Sequence, residues 1–217
     1  MDYIKERFNG KVPWIFERLK AFHGKNSWHN LESVYEHTNR VLGALESLLA
    51  GLTMPQFEGD ILREAALYHD VGKISPSLKD GRIDYPGHEK TSAQIYYETK
   101  VSKTSRPLAS RPDGLRFSLQ SQELVYDLII NHTIIHKIMG ENYFMEPLKE
   151  LTSGIPNLKD LRFPKAGRQY CRNKESFQRG LVLLGYSDII ASDFVKIDPF
   201  EFTKRVTRYV SALNEFL

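Results

Sequence analysis

Residues 31–52 read LESVYEHTNRVLGALESLLAGL. Within them Leu31, Val34, Tyr35, Val41, Leu42, Leu45, Leu48, Leu49 and Leu52 fall at steps of three and four, the spacing that lines one face of an α-helix with apolar side chains. A stripe this long needs a partner surface, so the segment reads as one wall of a helical core. Working outward, residues 60–68 predict a second helix through Ile61, Leu62, Ala65 and Ala66, broken near Val71-Gly72 and again at Pro76. Helical patterning returns over residues 89–101, then from residue 121 through Leu124, Val125, Leu128, Ile129 and Ile135, and over residues 176–195 through Phe177, Leu181, Leu184 and Ile189. A last helix follows Pro199, a residue suited to a first helical turn. No run of period-two alternation is bounded by turn residues. The expectation is a compact all-α bundle, residues 1–217 forming one domain.

Two stretches resist helix assignment, residues 102–116 with Pro107, Pro112 and Gly114, and residues 151–174 with Pro156, Pro164 and Gly167. Both are expected to be long surface loops, a kind of connection that is usually functional or disordered. The first carries Arg106, Arg111 and Arg116 and the second is equally basic, so both are candidates for phosphate contact as well as ordinary solvated loops. Overall charge is nearly balanced at +3, which by itself demands no polyanionic partner. The one cysteine, Cys171, excludes an intrachain disulfide and a Cys-rich zinc site. Residues 1–7 carry charges where a signal peptide needs an apolar core, and no segment approaches the roughly 18 apolar residues of a membrane span. A cytoplasmic protein without a membrane partner is the expectation.

Any metal must therefore be held by histidines and carboxylates. His37 shares the inward stripe with Val34 and Val41, and Asp188 sits on the stripe of Phe177, Leu181 and Leu184. Each alone reads as a hydrogen-bonded core residue, but a buried aspartate is costly unless paired or metal-bound. His69-Asp70 adds a nitrogen and an oxygen at one backbone location. His132 and His136, four apart, share the apolar face of their helix. One metal centre satisfies all of these together, where independent burial would require several separate solutions. His/Asp ligation without sulfur suits Mn, Fe, Co, Ni or Zn better than Mg.

The ordered elements Tyr35-Glu36-His37-Thr38, Ala66-Leu67-Tyr68-His69-Asp70-Val71-Gly72-Lys73, Pro86-Gly87-His88-Glu89-Lys90, Ile130-Asn131-His132 and Tyr186-Ser187-Asp188 resemble the HD-domain superfamily of metal-dependent phosphohydrolases. The segment from Asp80-Gly81-Arg82 to Ala93 looks specifically like the HD module attached to bacterial tRNA nucleotidyltransferases, the CCA-adding enzymes. Their nucleotidyltransferase domain is absent, so CCA addition is not implied. Carried over, the resemblance implies one or two divalent transition-metal ions, with His37, His69, Asp70 and Asp188 binding the first, His88 and His132 the second, and Asp70 bridging. Lys73, one turn beyond the pair, would face the substrate phosphate. His136 lies outside the usual pattern, and three roles stay open for it: an added ligand, a replacement for His132, or a substrate contact.

The activity implied is hydrolysis of phosphomonoesters or phosphodiesters of nucleotides or RNA ends, including 2′-phosphates and 2′,3′-cyclic phosphates, by a metal-activated water. Within the family the rivals are a deoxynucleotide phosphohydrolase and an HD-type nuclease. Outside that chemistry they are an HD-type di-iron oxygenase and a nucleotide-sensing module. A homodimer and a fused or partner nucleic-acid-processing domain are both compatible with the sequence.

Overall fold

The computed structural model describes residues 1–25, 30–74, 76–79, 82–101, 119–145, 147–148 and 174–216. The two expected basic loops, with Arg106, Arg111 and Arg116, lie outside the described residues, apart from Lys174, which begins a helix. Two short helices, α1 (Tyr3–Arg7) and α2 (Trp14–Leu19), lead into a small antiparallel pair, β1 (His23–Lys25) and β2 (Asn30–Ser33). There follow α3 (Val34–Gly51), α4 (Gln56–Tyr68), a 3-10 turn (Val71–Ile74), the hairpin strands β3 (Ser77–Lys79) and β4 (Arg82–Asp84), and α5 (His88–Tyr96), which continues into a π turn (Tyr97–Val101). The chain ends in α6 (Leu119–Gly140), α7 (Lys174–Ala191), α8 (Phe194–Ile197) and α9 (Pro199–Phe216).

The architecture is an all-α bundle. Helix α7 runs through its middle, with Leu181, Val182, Leu183 and Leu184 all fully buried, and it packs on α3, α6 and α9. Helix α5 lies against α6 on one side and against the 3-10 turn on the other. The N-terminal helix is tied to α3 by the Ile4 amide donating to Asn39 Oδ1 at 3.0 Å and the Tyr35 hydroxyl donating to Asp2 at 2.9 Å.

Several boundaries differ from the periodicity for identifiable reasons. Helix α3 starts at Val34 rather than at residue 31, because Ser33 and Glu36 form a capping box: Ser33 Oγ accepts from the Glu36 amide, and the Ser33 amide donates to Glu36 Oε2 at 2.8 Å. Residues 31–33 belong instead to β2. Helix α4 starts at Gln56, directly after Pro55, four residues before the expected start at residue 60. The helix expected over residues 176–195 stops at Ala191, where Ser192 turns its hydroxyl back to the Ile189 carbonyl at 2.7 Å and also accepts from the Phe194 amide. The two hairpins are strands the period-two reading did not find, each only three or four residues long. Among the described residues no helix is long and apolar enough to cross a membrane.

Candidate metal centre

The capping box places His37 one turn into α3, where its ring is 2% exposed. Helix α4 ends at Tyr68, and His69 continues in helical conformation, so His69 and Asp70 leave the helix end pointing into the bundle and are buried. The 3-10 turn then brings Lys73 back over Asp70. Gly87, at a φ of +72°, begins α5 and sets His88 on its first turn, a backbone conformation that glycine adopts without strain. Helix α6 supplies His132 and His136, and α7 supplies Asp188.

Three of the histidines are oriented by the same device. His69 Nδ1–H donates to the Ala66 carbonyl at 2.7 Å, His88 Nδ1–H to the Tyr85 carbonyl at 2.8 Å, and His132 Nδ1–H to the Ile129 carbonyl at 2.6 Å. A carbonyl only accepts, so in each neutral ring the proton is on Nδ1 and the lone pair on Nε2. All three Nε2 atoms converge on the Asp70 carboxylate. His88 and His132 Nε2 stand 3.2 Å apart, and their distances to Asp70 Oδ1 are 3.2 and 3.6 Å. His69 Nε2 is 3.4 Å from Asp70 Oδ2. Burial holds the His132 imidazole neutral, its pKa pushed down to about 4.

This is an arrangement of lone pairs facing lone pairs. Among the described residues His69 Nε2 and Asp70 Oδ1 are buried with no hydrogen-bond partner. A cation answers both deficits, and the donors fall into two groups, His37 with His69 and Asp188, and Asp70 with His88 and His132, each with ligand atoms within 4.8 Å of one another. Nitrogen and oxygen donors without sulfur fit a divalent transition ion. The residues present therefore fit the metal that the sequence reading calls for.

Lys73 Nζ donates to Asp70 Oδ2 at 2.6 Å. Burial acts to raise the Asp70 pKa, but the Lys73 ammonium beside it outweighs burial and holds the carboxyl well below its usual range. Asp188 is likewise held low against burial by hydrogen bonds from His136 and His37. His37 Nε2 is 2.8 Å from Asp188 Oδ1, and His37 Nδ1 lies 3.5 Å from Glu32 Oε1.

The structure brings together His37, His69, Asp70, Lys73, His88, His132, His136 and Asp188. They line one end of a cavity of about 630 Å³, or lie just beneath it. Its lining adds residues that the sequence did not single out, Tyr85, Thr133, Lys137, Ser192 and Arg205. Arg205 donates to the His136 carbonyl at 2.7 Å and to Glu201 at 2.8 Å, while Lys137 is exposed and makes no ion pair among the described residues. The signal for Lys137 was available, since it follows His136 by one residue and shares a ridge of α6 with Thr133.

An α-helical bundle closed around a His/Asp cluster is the arrangement of the HD-domain proteins, which are generally metal-dependent hydrolases. The model of the HD domain matches residues 34–172, and the chain belongs to this family. Asp188 lies beyond the matched stretch, yet its carboxylate enters the same cluster. No curated protein matches the chain.

A thermal test follows from the unsatisfied donors. Adding Mn²⁺, Co²⁺ or Zn²⁺ to EDTA-treated protein is expected to raise its melting temperature, because an ion that binds only the folded state at about 100 times its Kd contributes about 2.7 kcal/mol. Differential scanning fluorimetry with each ion measures this, and a melting temperature indifferent to all of them would contradict a metal centre.

Proposed function

We propose that this chain is a phosphohydrolase that cleaves phosphomonoesters or phosphodiesters of nucleotides or RNA ends, with 2′-phosphates and 2′,3′-cyclic phosphates as its preferred class. The observation that carries the reading is the position of Asp70 between two sets of histidine donors beside an open cavity. One or two divalent ions held by His37, His69, Asp70, His88, His132 and Asp188 would supply Lewis acidity and acidify water near neutral pH. The protein's own residues do the rest. The carbonyl-anchored imidazoles stay in the tautomer that presents Nε2 inward, and Lys73 keeps the Asp70 carboxylate ionised.

Substrate size and charge support a nucleotide. A cavity of about 630 Å³ lies in the range that encloses ligands of a few hundred daltons. Lys137 lines the cavity and would offer its ammonium to a phosphate. The likeness of residues 80–93 to the HD module of tRNA nucleotidyltransferases supports an RNA end. The setting proposed is a cytoplasmic one.

The test is phosphate or nucleoside release from 2′-AMP, 3′-AMP, 5′-AMP, deoxynucleoside triphosphates and 2′,3′-cyclic AMP, with Mn, Co, Ni, Zn and Mg supplied in turn. Release from the 2′ or cyclic substrates is expected. A preference for deoxynucleoside triphosphates would replace the RNA-end reading by nucleotide-pool hydrolysis. Silence with every substrate from folded, metal-bound protein would overturn the phosphohydrolase reading itself. Lys137→Ala is expected to raise KM about five- to tenfold with kcat nearly unchanged, as loss of one charge-assisted contact of about 1–1.5 kcal/mol predicts. An unchanged KM would remove Lys137 from the substrate-binding wall.

A further inference from the structure

The inward nitrogen of His136 differs in kind from those of His69, His88 and His132. His136 Nε2 is 2.8 Å from Asp188 Oδ2, and its Nδ1 is 2.8 Å from the hydroxyl of Tyr209 on α9. A carboxylate oxygen can only accept, so the proton of this imidazole is on Nε2. Its Nδ1 then carries the lone pair, and the Tyr209 hydroxyl is the donor. His69, His88 and His132 hold the reverse tautomer, anchored at Nδ1 with Nε2 bare. The ring four residues after His132 therefore faces the cluster as a hydrogen-bond donor rather than as a ligand.

We infer that Tyr209 is a positioning residue of the metal centre, acting through His136 to fix the Asp188 carboxylate. With Oδ2 held by His136, Asp188 turns its other oxygen, Oδ1, toward His37 Nε2 at 2.8 Å, within the group of donors completed by His69. In the metal-free protein His37 Nε2–H donates to that oxygen, a proton an ion would displace, while His136 keeps Oδ2. Such outer hydrogen bonds set ligand orientation, and losing one typically costs 10- to 100-fold in metal affinity.

The packing is built to admit the hydroxyl. Tyr209 is fully buried, and Gly185 on α7, three residues before Asp188, is where it rests. A Cβ at position 185 would lie 2.7 Å from the Tyr209 hydroxyl oxygen, 3.0 Å from Cε1 and 2.7 Å from Ile135 Cγ2. Real Cβ atoms do not approach that closely, so the junction of α6, α7 and α9 closes on Tyr209 only because residue 185 has no side chain. The role goes beyond the reaction proposed above and rests only on the metal centre within that reading.

The experiment uses the full chain. Nitrogen-15 NMR of the histidine side chains in the metal-free protein is expected to show His136 in the Nε2–H tautomer and His69, His88 and His132 in the Nδ1–H tautomer. Co²⁺ binding is then followed by calorimetry and by its visible absorption. Tyr209→Phe is expected to weaken Co²⁺ binding by about 10- to 100-fold and to change the absorption of the bound ion, with the circular dichroism spectrum unchanged. His136→Gln, which keeps an N–H donor near Asp188, is expected to retain most of the affinity, and His136→Leu to lose it. An Nδ1–H tautomer for His136, or a Tyr209→Phe protein with wild-type affinity and spectrum, overturns the positioning role and leaves the phosphohydrolase reading standing. A wild-type protein that binds no Co²⁺ overturns both. If Tyr209→Phe fails to fold, the pair His136→Gln and His136→Leu decides, equal affinities overturning the proposal.

Discussion

Asp70→Ala is expected to lose at least about a thousandfold in kcat/KM, about 4 kcal/mol of barrier reduction, while keeping its helical circular dichroism. Asp70 is the residue around which the cluster is built. Oδ1 faces His88 and His132 at 3.2 and 3.6 Å, and Oδ2 faces Lys73, His69 and His37 at 2.6, 3.4 and 3.7 Å. Its loss separates the two groups of donors and removes the partner of a nearly buried ammonium. The fold tolerates this because Lys73 also borders the cavity, so its amine can turn into water. Asp70→Asn keeps the shape and discards the charge, and it is expected to fall almost as far. The measurement is steady-state hydrolysis of the best substrate at saturating metal. A variant keeping more than about a tenth of the rate would show that Asp70 does not join two ions.

The second large effect falls on stability. Gly72→Ala places a Cβ 2.3 Å from the His88 carbonyl oxygen, 2.6 Å from the Ser92 amide nitrogen and 2.9 Å from Ser92 Oγ. Two of these are backbone atoms of α5, which cannot move without moving the helix, and the Gly72 amide also donates to Ser92 Oγ at 2.8 Å. The expected cost is about 3 kcal/mol, which lowers the melting temperature of a chain this size by about 6–12 °C. Because α5 carries His88, the variant is also expected to bind metal more weakly than its folded fraction accounts for. Gly87→Ala is the comparison. Residue 87 has a positive φ but nothing within 4 Å of an added Cβ, so strain alone acts there and the cost is about 1 kcal/mol. Equal melting temperatures for the two variants would show that the contact with α5 relaxes freely.

Much of this was legible in the sequence, for reasons that differ by residue. His37 and Asp188 could be placed inward because helical period assigns a face to each position, and a polar residue on an apolar face must be explained. His69-Asp70 was marked by the glycine and proline that end its helix. His88 was different: no periodicity points to it, since it is the first residue of a helix behind a left-handed glycine, and only the family resemblance drew attention to it. The role of His136 was open because period gives a direction and not a tautomer. The tautomer is set by Tyr209, 73 residues further along, whose place on the buried face of an amphipathic helix reads as ordinary core. The short hairpins escaped because three-residue strands show too little alternation, although Asp80-Gly81 between β3 and β4 is itself a strong hairpin signal.

His37 and Asp188 meet across 151 positions of sequence, and that separation orders events during synthesis. Contacts this remote close late, since the intervening chain must first be confined. Asp70, His88 and His132 require nothing beyond residue 132, so their group of donors is complete on the nascent chain while the His37, His69 and Asp188 group still waits for α7. Assembly of the two groups of donors is therefore expected in order, the second coinciding with docking of the C-terminal helices. An ion held by His37, His69 and Asp188 would tie the early part of the chain to the late one and act as a latch against unfolding from the C-terminal end.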